Sequence, residues 1–591
     1  MLKSHTALLT VSILLLLPLY ATAAPDTSAD YDLAQTQPSW VAVLGGSALC
    51  CPVPTSYGFA VVGEGKMVSA FTNSGTVIWQ RSFAKPLKPY ISVGLSDMLY
   101  VISGSTTLAM LNPGGTVIWT VDTGFSVQSP PVAGRDGRVF VKGDNCFACY
   151  GLNGIRRWKI DTDSQDDKLP PVELDDGSLL VFLTRTENGK SIATRVSPFG
   201  NVLEQIVFAG RVKEAVSCSG GVLLVFKDGS TGFCSVKENV LVSNWVLLSG
   251  TGEISSATKA GASPFPHDTA VVISGSPAHV LFIATSTGKI TSSIPLNSLD
   301  TSSVMLSCFS SDGFIAADKR NAFCVKSDGT VVWQASFNAR KKWNYLFSCK
   351  GGYISFCESN WVIESFRMKQ SVESGEMFPY EKKRVQPYSS FYNDTDAVSS
   401  ELTGRALSND ECVEIKNAYI RGDFGQKEAD WLPVLEDELD SLCETWNSGR
   451  ISRTAEKSYY DDNPAYVDML LTIAGLSGTA LFQQNVTSLL NTVTDPSLLQ
   501  MLVDTAGRLS FDSDEQMLFS LENAIRHISP KNEPLLTSIC DAVYAICKYM
   551  GRPAFLESGK SILSSLMYPQ YDAKVRDNAR ATLERISALK L

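Results

Sequence analysis

The sequence predicts a multidomain β + α protein, a β-propeller followed by an α-helical solenoid or bundle, and three observations carry that expectation. A turn glycine followed by a β-rich tryptophan strand recurs through the first two thirds. Three short apolar strands, parted by Gly, Asp, Ser or Asn turns, fill the space between successive copies. After about residue 409 the apolar period changes from 2 to 3.6.

The repeat reads Gly75-Thr76-Val77-Ile78-Trp79, then Gly115-Thr116-Val117-Ile118-Trp119, Gly154-Ile155-Arg156-Arg157-Trp158 and Gly329-Thr330-Val331-Val332-Trp333. Weaker copies start at Gly200, Asn239 and Gly288. Four strands in about 40 residues is the period of a propeller blade. Runs such as Leu179-Leu180-Val181-Phe182 are apolar on both faces, as expected of blades packed between blades. A β-sandwich would not repeat its sequence at this period. The propeller is expected over 38–367, with eight blades and seven as the alternative. The last unit, Tyr345–Arg367, supplies only three strands, and Ser39–Leu44 has the pattern of the missing fourth. Pairing them would close the ring and remove two exposed sheet edges. Five residues before the turn glycine, or before the Asn239 that stands in its place, the aligned units carry Ala70, Met110, Cys149, Cys234, Ile283 and Cys324. A slot open to Ala, Met, Ile or Cys is a packing position.

Residues 368–408 are polar and strandless and read as a linker. From 409 to 591, Leu498, Leu502, Ala506 and Leu509 line one helical face, Met517, Leu521, Ala524 and Ile528 the next, and Val575, Ala579, Leu583 and Ile586 another. Pro464 to Gly475 and Pro496 to Gly507 share one pattern: Pro, four residues, Met-Leu, three residues, Ala-Gly. Proline suits a first helical turn, and Asn463 or Asp495 before it can cap. Helix pairs at this period resemble a short HEAT or armadillo-type solenoid, with a plain bundle as the alternative.

Residues 1–24 have the pattern of a signal peptide. Lys3 precedes an apolar run from Ala7 to Tyr20, and Ala21-Thr22-Ala23 offers small residues for cleavage. The run is shorter than the ~20 residues that span a bilayer. No cysteine follows before Cys50, so a lipidated N-terminus is not expected, and no later segment is apolar enough to span. The mature chain is expected to be soluble and extracytoplasmic, most simply periplasmic. The net charge of −10 comes without a basic stripe, which argues against nucleic acid as a partner.

Most of the 14 cysteines read as small buried hydrophobes. Cys540 and Cys547 lie seven apart in a helical stretch, roughly 10 Å along the axis, beyond disulfide reach. Cys146 and Cys149, three apart in a strand, face opposite sides. No catalytic constellation is complete. After the signal segment only His267, His279 and His527 remain, none spaced as a metal pair. Asp161–Asp167 has the start of a calcium loop without its glycine or its closing glutamate, and Ser82-Phe83-Ala84-Lys85 matches a Ser-x-x-Lys pattern with no companion motif. No resident metal or cofactor is expected.

The Gly-x-x-x-Trp strands and the strand-and-turn before them, as in Leu108-Ala109-Met110-Leu111-Asn112-Pro113-Gly114-Gly115, resemble the quinoprotein-type (PQQ-like) propeller repeat family over roughly Ser39 to Arg367. One branch of that family is redox enzymes, and another is the non-enzymatic, BamB-like branch of outer-membrane β-barrel assembly. The resemblance singles out Cys50-Cys51, because quinoprotein dehydrogenases set an adjacent-cysteine disulfide against the quinone. The calcium ligands, catalytic Asp and long insertions of those enzymes have no match here. The expected function is therefore a non-catalytic scaffold or adaptor that binds other envelope proteins. A quinone-dependent dehydrogenase and a ligand-sensing module are the alternatives, and the sequence sets no oligomeric state.

Overall fold

The computed structural model describes residues 37–589 apart from 163–167, 186–189, 209, 219, 251–256, 263–268, 309–312, 327–329, 337–342, 350–352, 359–360, 368–383, 393–406, 422–427 and 448–461. Eight antiparallel four-stranded sheets form the first part, each a blade. Blades 1 to 7 occupy 53–82, 87–122, 132–161, 172–207, 212–247, 257–296 and 305–336. Blade 8 combines Trp343–Cys349, Tyr353–Glu358 and Val362–Arg367 with Trp40–Val43 as its outer strand, Trp40 opposite Ser365 and Val43 opposite Val362. The ring is thus closed by the N-terminal strand, as the missing fourth strand predicts.

The repeat motif has a mechanical meaning. Each described turn glycine of the repeat takes a positive φ, as at Gly115 (78°) and Gly154 (77°), where a β-branched residue would be strained. A tryptophan of the preceding blade lies on that glycine: Trp79 on Gly115, Trp119 on Gly154, Trp158 on Gly200, Trp245 on Gly288, and Trp40 on Gly75 across the seam. A Cβ at Gly115 would come within 2.4 Å of the Trp79 ring. The indole N–H groups of Trp79, Trp119, Trp158 and Trp245 donate to carbonyls of the same turns, Pro113, Leu152, Pro198 and Thr285, at 2.6–2.8 Å. Blades 1, 2, 3 and 5 are thereby each riveted to the next by one ring and one hydrogen bond.

The slot before the turn is buried in every copy named above, and a register shift in the outer strand pair falls beside it, as at Ala70/Phe71, Met110/Leu111 and Cys149/Tyr150. Such bulges kink the outer edge and discourage edge pairing. Blade 4 breaks the pattern. Its slot holds Arg195, opposite Glu204 where blades 1, 2, 3 and 7 place tryptophan. Arg195 is fully buried and bonds Glu204 (2.7 Å), Asp176 (2.5 Å) and the Asn239 carbonyl of blade 5 (2.7 Å). An ion pair replaces the rivet at this junction.

The second part holds nine helices among the described residues: α1 Asn409–Ile420, α2 Glu428–Asn447, α3 Pro464–Leu476, α4 Gln483–Thr492, α5 Pro496–Leu509, α6 Gln516–Ile525, α7 Glu533–Met550, α8 Pro553–Ser565 and α9 Ala573–Ser587. They stack in two layers, α1-α3-α5-α7-α9 and α2-α4-α6-α8. The Ala-Gly pair ending each sequence repeat explains the spacing. Gly475 sits against Arg508 of α5 and Gly507 against Ala542 of α7, so the missing side chain lets the next helix close in. Asp495 caps α5 by accepting from the backbone N–H of Ser497 and Leu498. Asn463 does not cap α3 with its side chain, contrary to expectation, because its backbone (φ −124°, ψ 60°) leaves the usual extended cap conformation. No described helix is long and apolar enough to cross a membrane.

Candidate binding face

In an antiparallel blade the first-to-second and third-to-fourth strand turns share one rim. The helical stack meets that rim at blades 2 and 3. Its helices α3 and α7 arrive end-on. A helix C-terminus leaves carbonyls without intrahelical partners, and the propeller supplies donors for them. Asn153 Nδ2 donates to Leu476 O (3.0 Å), the Leu152 N–H to Gly478 O (2.7 Å), and Asn112 Nδ2 to Lys548 O (2.7 Å). Glycines meet at both contacts. A Cβ on Gly151 would stand 3.0 Å from the Gly478 Cα, and one on Gly114 2.5 Å from the Gly551 carbonyl. Tyr549 of α7 reaches into the propeller and donates to Leu152 O at 2.9 Å. Arg552 holds Asp97 (2.9 Å), which also accepts from the Ser56 N–H (3.0 Å).

Between blade 3 and the stack lies a buried charge network. Arg138 pairs with Asp136 (2.7 Å) and Glu428 (3.2 Å), and Arg157 pairs with Glu428 and donates to the Tyr419 hydroxyl (2.7 Å). The Asp136, Arg138 and Glu428 side chains are at most 2% exposed, so two cations and two carboxylates sit together out of water. Burial opposes the Arg138 charge, yet adjacent Asp136 holds its pKa above the ordinary arginine value.

Part of the expected linker is docked here too. Residues 384–392 cross the same rim between blades 3 and 4. The Gln386 N–H donates to Arg135 O, and Tyr388 is almost wholly buried. Beside this strap the inner strands of blades 2 to 5 border an open cleft of about 980 Å³, lined by Val132, Val172, Arg135, Glu173 and, from the strap, Arg384 and Gln386.

Cys50 and Cys51 lie on the opposite rim, just before the inner strand of blade 1, at the ring seam. Cys51 Sγ approaches Leu346 O of blade 8 (3.6 Å), and the Tyr345 hydroxyl donates to Leu49 O (3.2 Å). Cys50 is a free thiol whose pKa is pushed up to about 12, by burial first and then by Cys51. A thiol so held supplies little thiolate at neutral pH. Burial likewise raises Cys149, Cys540 and Cys547 to about 12 and Cys146 and Cys234 to about 11. His279 stands alone beside Ser293 (3.4 Å). His267 and Asp163–Asp167 lie outside the described residues. Among the described residues no three His, Cys, Asp or Glu side chains cluster as metal ligands.

The residues that build this face escaped the sequence reading. Arg138, Glu428 and Tyr388 belong to no motif. Arg195 could have been found, since it stands five before Gly200 in a slot otherwise apolar.

Comparison with known proteins adds a partial match. A family model described as outer membrane protein assembly factor BamB matches residues 64–195, blades 1 to 4. The crystal structure of BamB from Moraxella catarrhalis is similar at 14% identity and a TM-score of 0.43, covering 56% of this chain and 99% of that one. The computationally designed Ika8 protein is similar at 11% identity and a TM-score of 0.43, covering 55% and 98%. A catalytically inactive virginiamycin B lyase from Staphylococcus aureus follows at 11% and 0.35, covering 47% and 93%. No curated protein matches the sequence.

Proposed function

We propose that the chain is a non-catalytic, extracytoplasmic scaffold that holds another envelope protein, in the manner of an outer-membrane assembly factor. The observation that carries this reading is the rigid seating of the helical stack on one rim. Helix ends capped by propeller side chains and a buried charge network hold two surface-rich bodies in one fixed relation. A HEAT-like stack offers a groove, and a propeller offers its rims and channel. The BamB match over blades 1 to 4 agrees with the role, and the Lys3-to-Ala23 pattern agrees with the periplasm.

Site-specific photocrosslinking in intact cells tests it. Probes on the exposed surfaces of α4 and α6 and on the turns of blades 5 to 8 should trap one recurrent envelope protein. Purified wild type and a Cys50→Ser, Cys51→Ser variant should both fail to bind quinone or oxidise alcohols and sugars with dyes, and should retain that partner equally. Saturable quinone binding lost in the double variant would overturn the reading in favour of an oxidoreductase.

A further inference from the structure

The strap 384–392 sits in the propeller as a ligand sits in a site. Tyr388 enters a cleft between the first-to-second strand turns of blades 3 and 4. Its hydroxyl accepts from the Arg135 N–H (3.1 Å) and faces Glu173 Oε1 (3.4 Å). The Arg135 and Arg138 guanidinium carbons stand 5.4 and 5.8 Å from the ring centroid, and Phe199 meets the ring edge-on at 6.4 Å. The cleft exists because two residues lack side chains. A Cβ on Gly134 would come within 2.4 Å of the Tyr388 hydroxyl, and one on Gly177 within 2.5 Å of the ring. The strap adds one main-chain bond, from the Gln386 N–H to Arg135 O. These are the parts of a peptide site: a shaped pocket for one side chain, polar groups for its tip, cationic faces for its ring, and a backbone carbonyl that sets direction.

Two further facts separate this from an ordinary connecting segment. Read from the sequence, residues 368–408 form one strandless connection, far longer than the about 12–15 residues beyond which loops without regular structure become uncommon, and long ones are usually functional. Arg135 and Glu173, which both touch Tyr388, also line the open cleft of about 980 Å³, which leaves room for residues flanking the tyrosine.

We propose that the Tyr388 pocket is a recognition site for an extended, tyrosine-centred peptide, filled in cis by residues 384–392 and available to a partner's segment when the strap leaves. The proposal gives a site to the binding role proposed above and rests on that role only for who supplies the competing peptide. Tethering gives the strap an effective concentration on the order of mM, so a free peptide competes poorly with it.

The test uses the full chain with residues 384–392 replaced by a Gly/Ser sequence of equal length, and a fluorescein-labelled peptide of sequence 384–392. Circular dichroism and a cooperative melt establish that the variant is folded, and a Tyr388→Ala chain serves in its place if it is not. The variant should bind the peptide saturably, at least a hundredfold more tightly than wild type does. A peptide carrying Ala in place of Tyr388 should bind at least tenfold more weakly. A folded variant that binds neither peptide, or both equally, overturns the site. The crosslinking partner would be unaffected by that result, so failure here and failure of the scaffold reading are separable.

Discussion

Glu428 is a carboxylate that faces two arginines of the propeller, Arg138 and Arg157. Removing one partner of a buried pair leaves the other charge uncompensated, which costs about 3–5 kcal/mol. Glu428→Ala should therefore cost about that much, read as a fall in urea midpoint at unchanged slope. A loss below about 1 kcal/mol would mean that water reaches the arginines. A second residue reports by titration. Asp512 is buried beside Asp514, and burial raises its pKa from 3.8 to about 6 against the Leu518 and Met517 backbone donors that lower it. The folded state therefore holds the proton more tightly than the unfolded chain. That contribution is fully present below about pH 4 and is lost as pH rises through 6. From pH 4 to 7 this one group should lower stability on the order of 2–3 kcal/mol, and Asp512→Asn should remove that slope. An unchanged slope in the variant would reject the assignment.

At the scale of elements, the contacts that matter are glycine turns. Gly478 follows α3 with φ of +68°, and a Cβ there would lie 2.8 Å from the Asn153 side chain and 3.0 Å from the Gly151 Cα. Gly478→Ala combines left-handed strain with a backbone clash and should cost about 2 kcal/mol or more, while Gly220→Ala, at similar φ but with nothing within 4 Å, should cost only the strain. Equal melting temperatures for the two would refute the end-on docking of α3. The closing strand makes its own prediction. Trp40→Ala removes the ring that covers Gly75 and should cost about 3 kcal/mol. Trp79→Ala should cost a similar amount if the seam is equivalent to an internal junction. The blades were legible because one rivet repeats at a fixed period. The Asp495 cap was legible for the same local reason. Asn463 was misread because a cap needs a backbone that aims the side chain at the first helical N–H groups, as Asn532 (φ −80°, ψ 71°) does at the start of α7 and Asn463 (φ −124°, ψ 60°) does not, and only the fold sets that backbone.

For the whole molecule, the sequence reading placed a linker at residues 368–408 between the propeller and the helical domain. The described part of that linker is instead docked through Tyr388, and a single apolar cluster runs from Tyr100 and Leu152 of the propeller to Tyr549 and Leu439 of the stack. Separate folding is therefore not the expectation that follows from the structure. Calorimetry of the full chain should give one transition, or two that shift together in Glu428→Ala. Two fixed, independent transitions would show instead that the two parts fold separately. The interface was invisible in the sequence because its members, Asn112, Asn153, Asp136 and Glu428, are single polar residues at unrelated spacings. Periodicity reports what an element buries in its neighbours within a repeat, and says nothing of which polar turn residue will meet a helix end hundreds of positions later.

The seam of blade 8 sets the order of events when the protein is made. Trp40–Val43 is the earliest strand of the propeller along the chain, yet its partner Val362–Arg367 comes roughly 320 residues later. Joining ends that far apart costs roughly 5 kcal/mol of chain entropy by the (3/2)RT ln n rule, and contacts of such separation form slowly. The first propeller strand to emerge must therefore wait for the last blade before it can pair. Until then the blade 8 edge and the Gly75 turn stand open, and that interval is when the growing chain is most exposed to mispairing and to holding factors that bind bare strands.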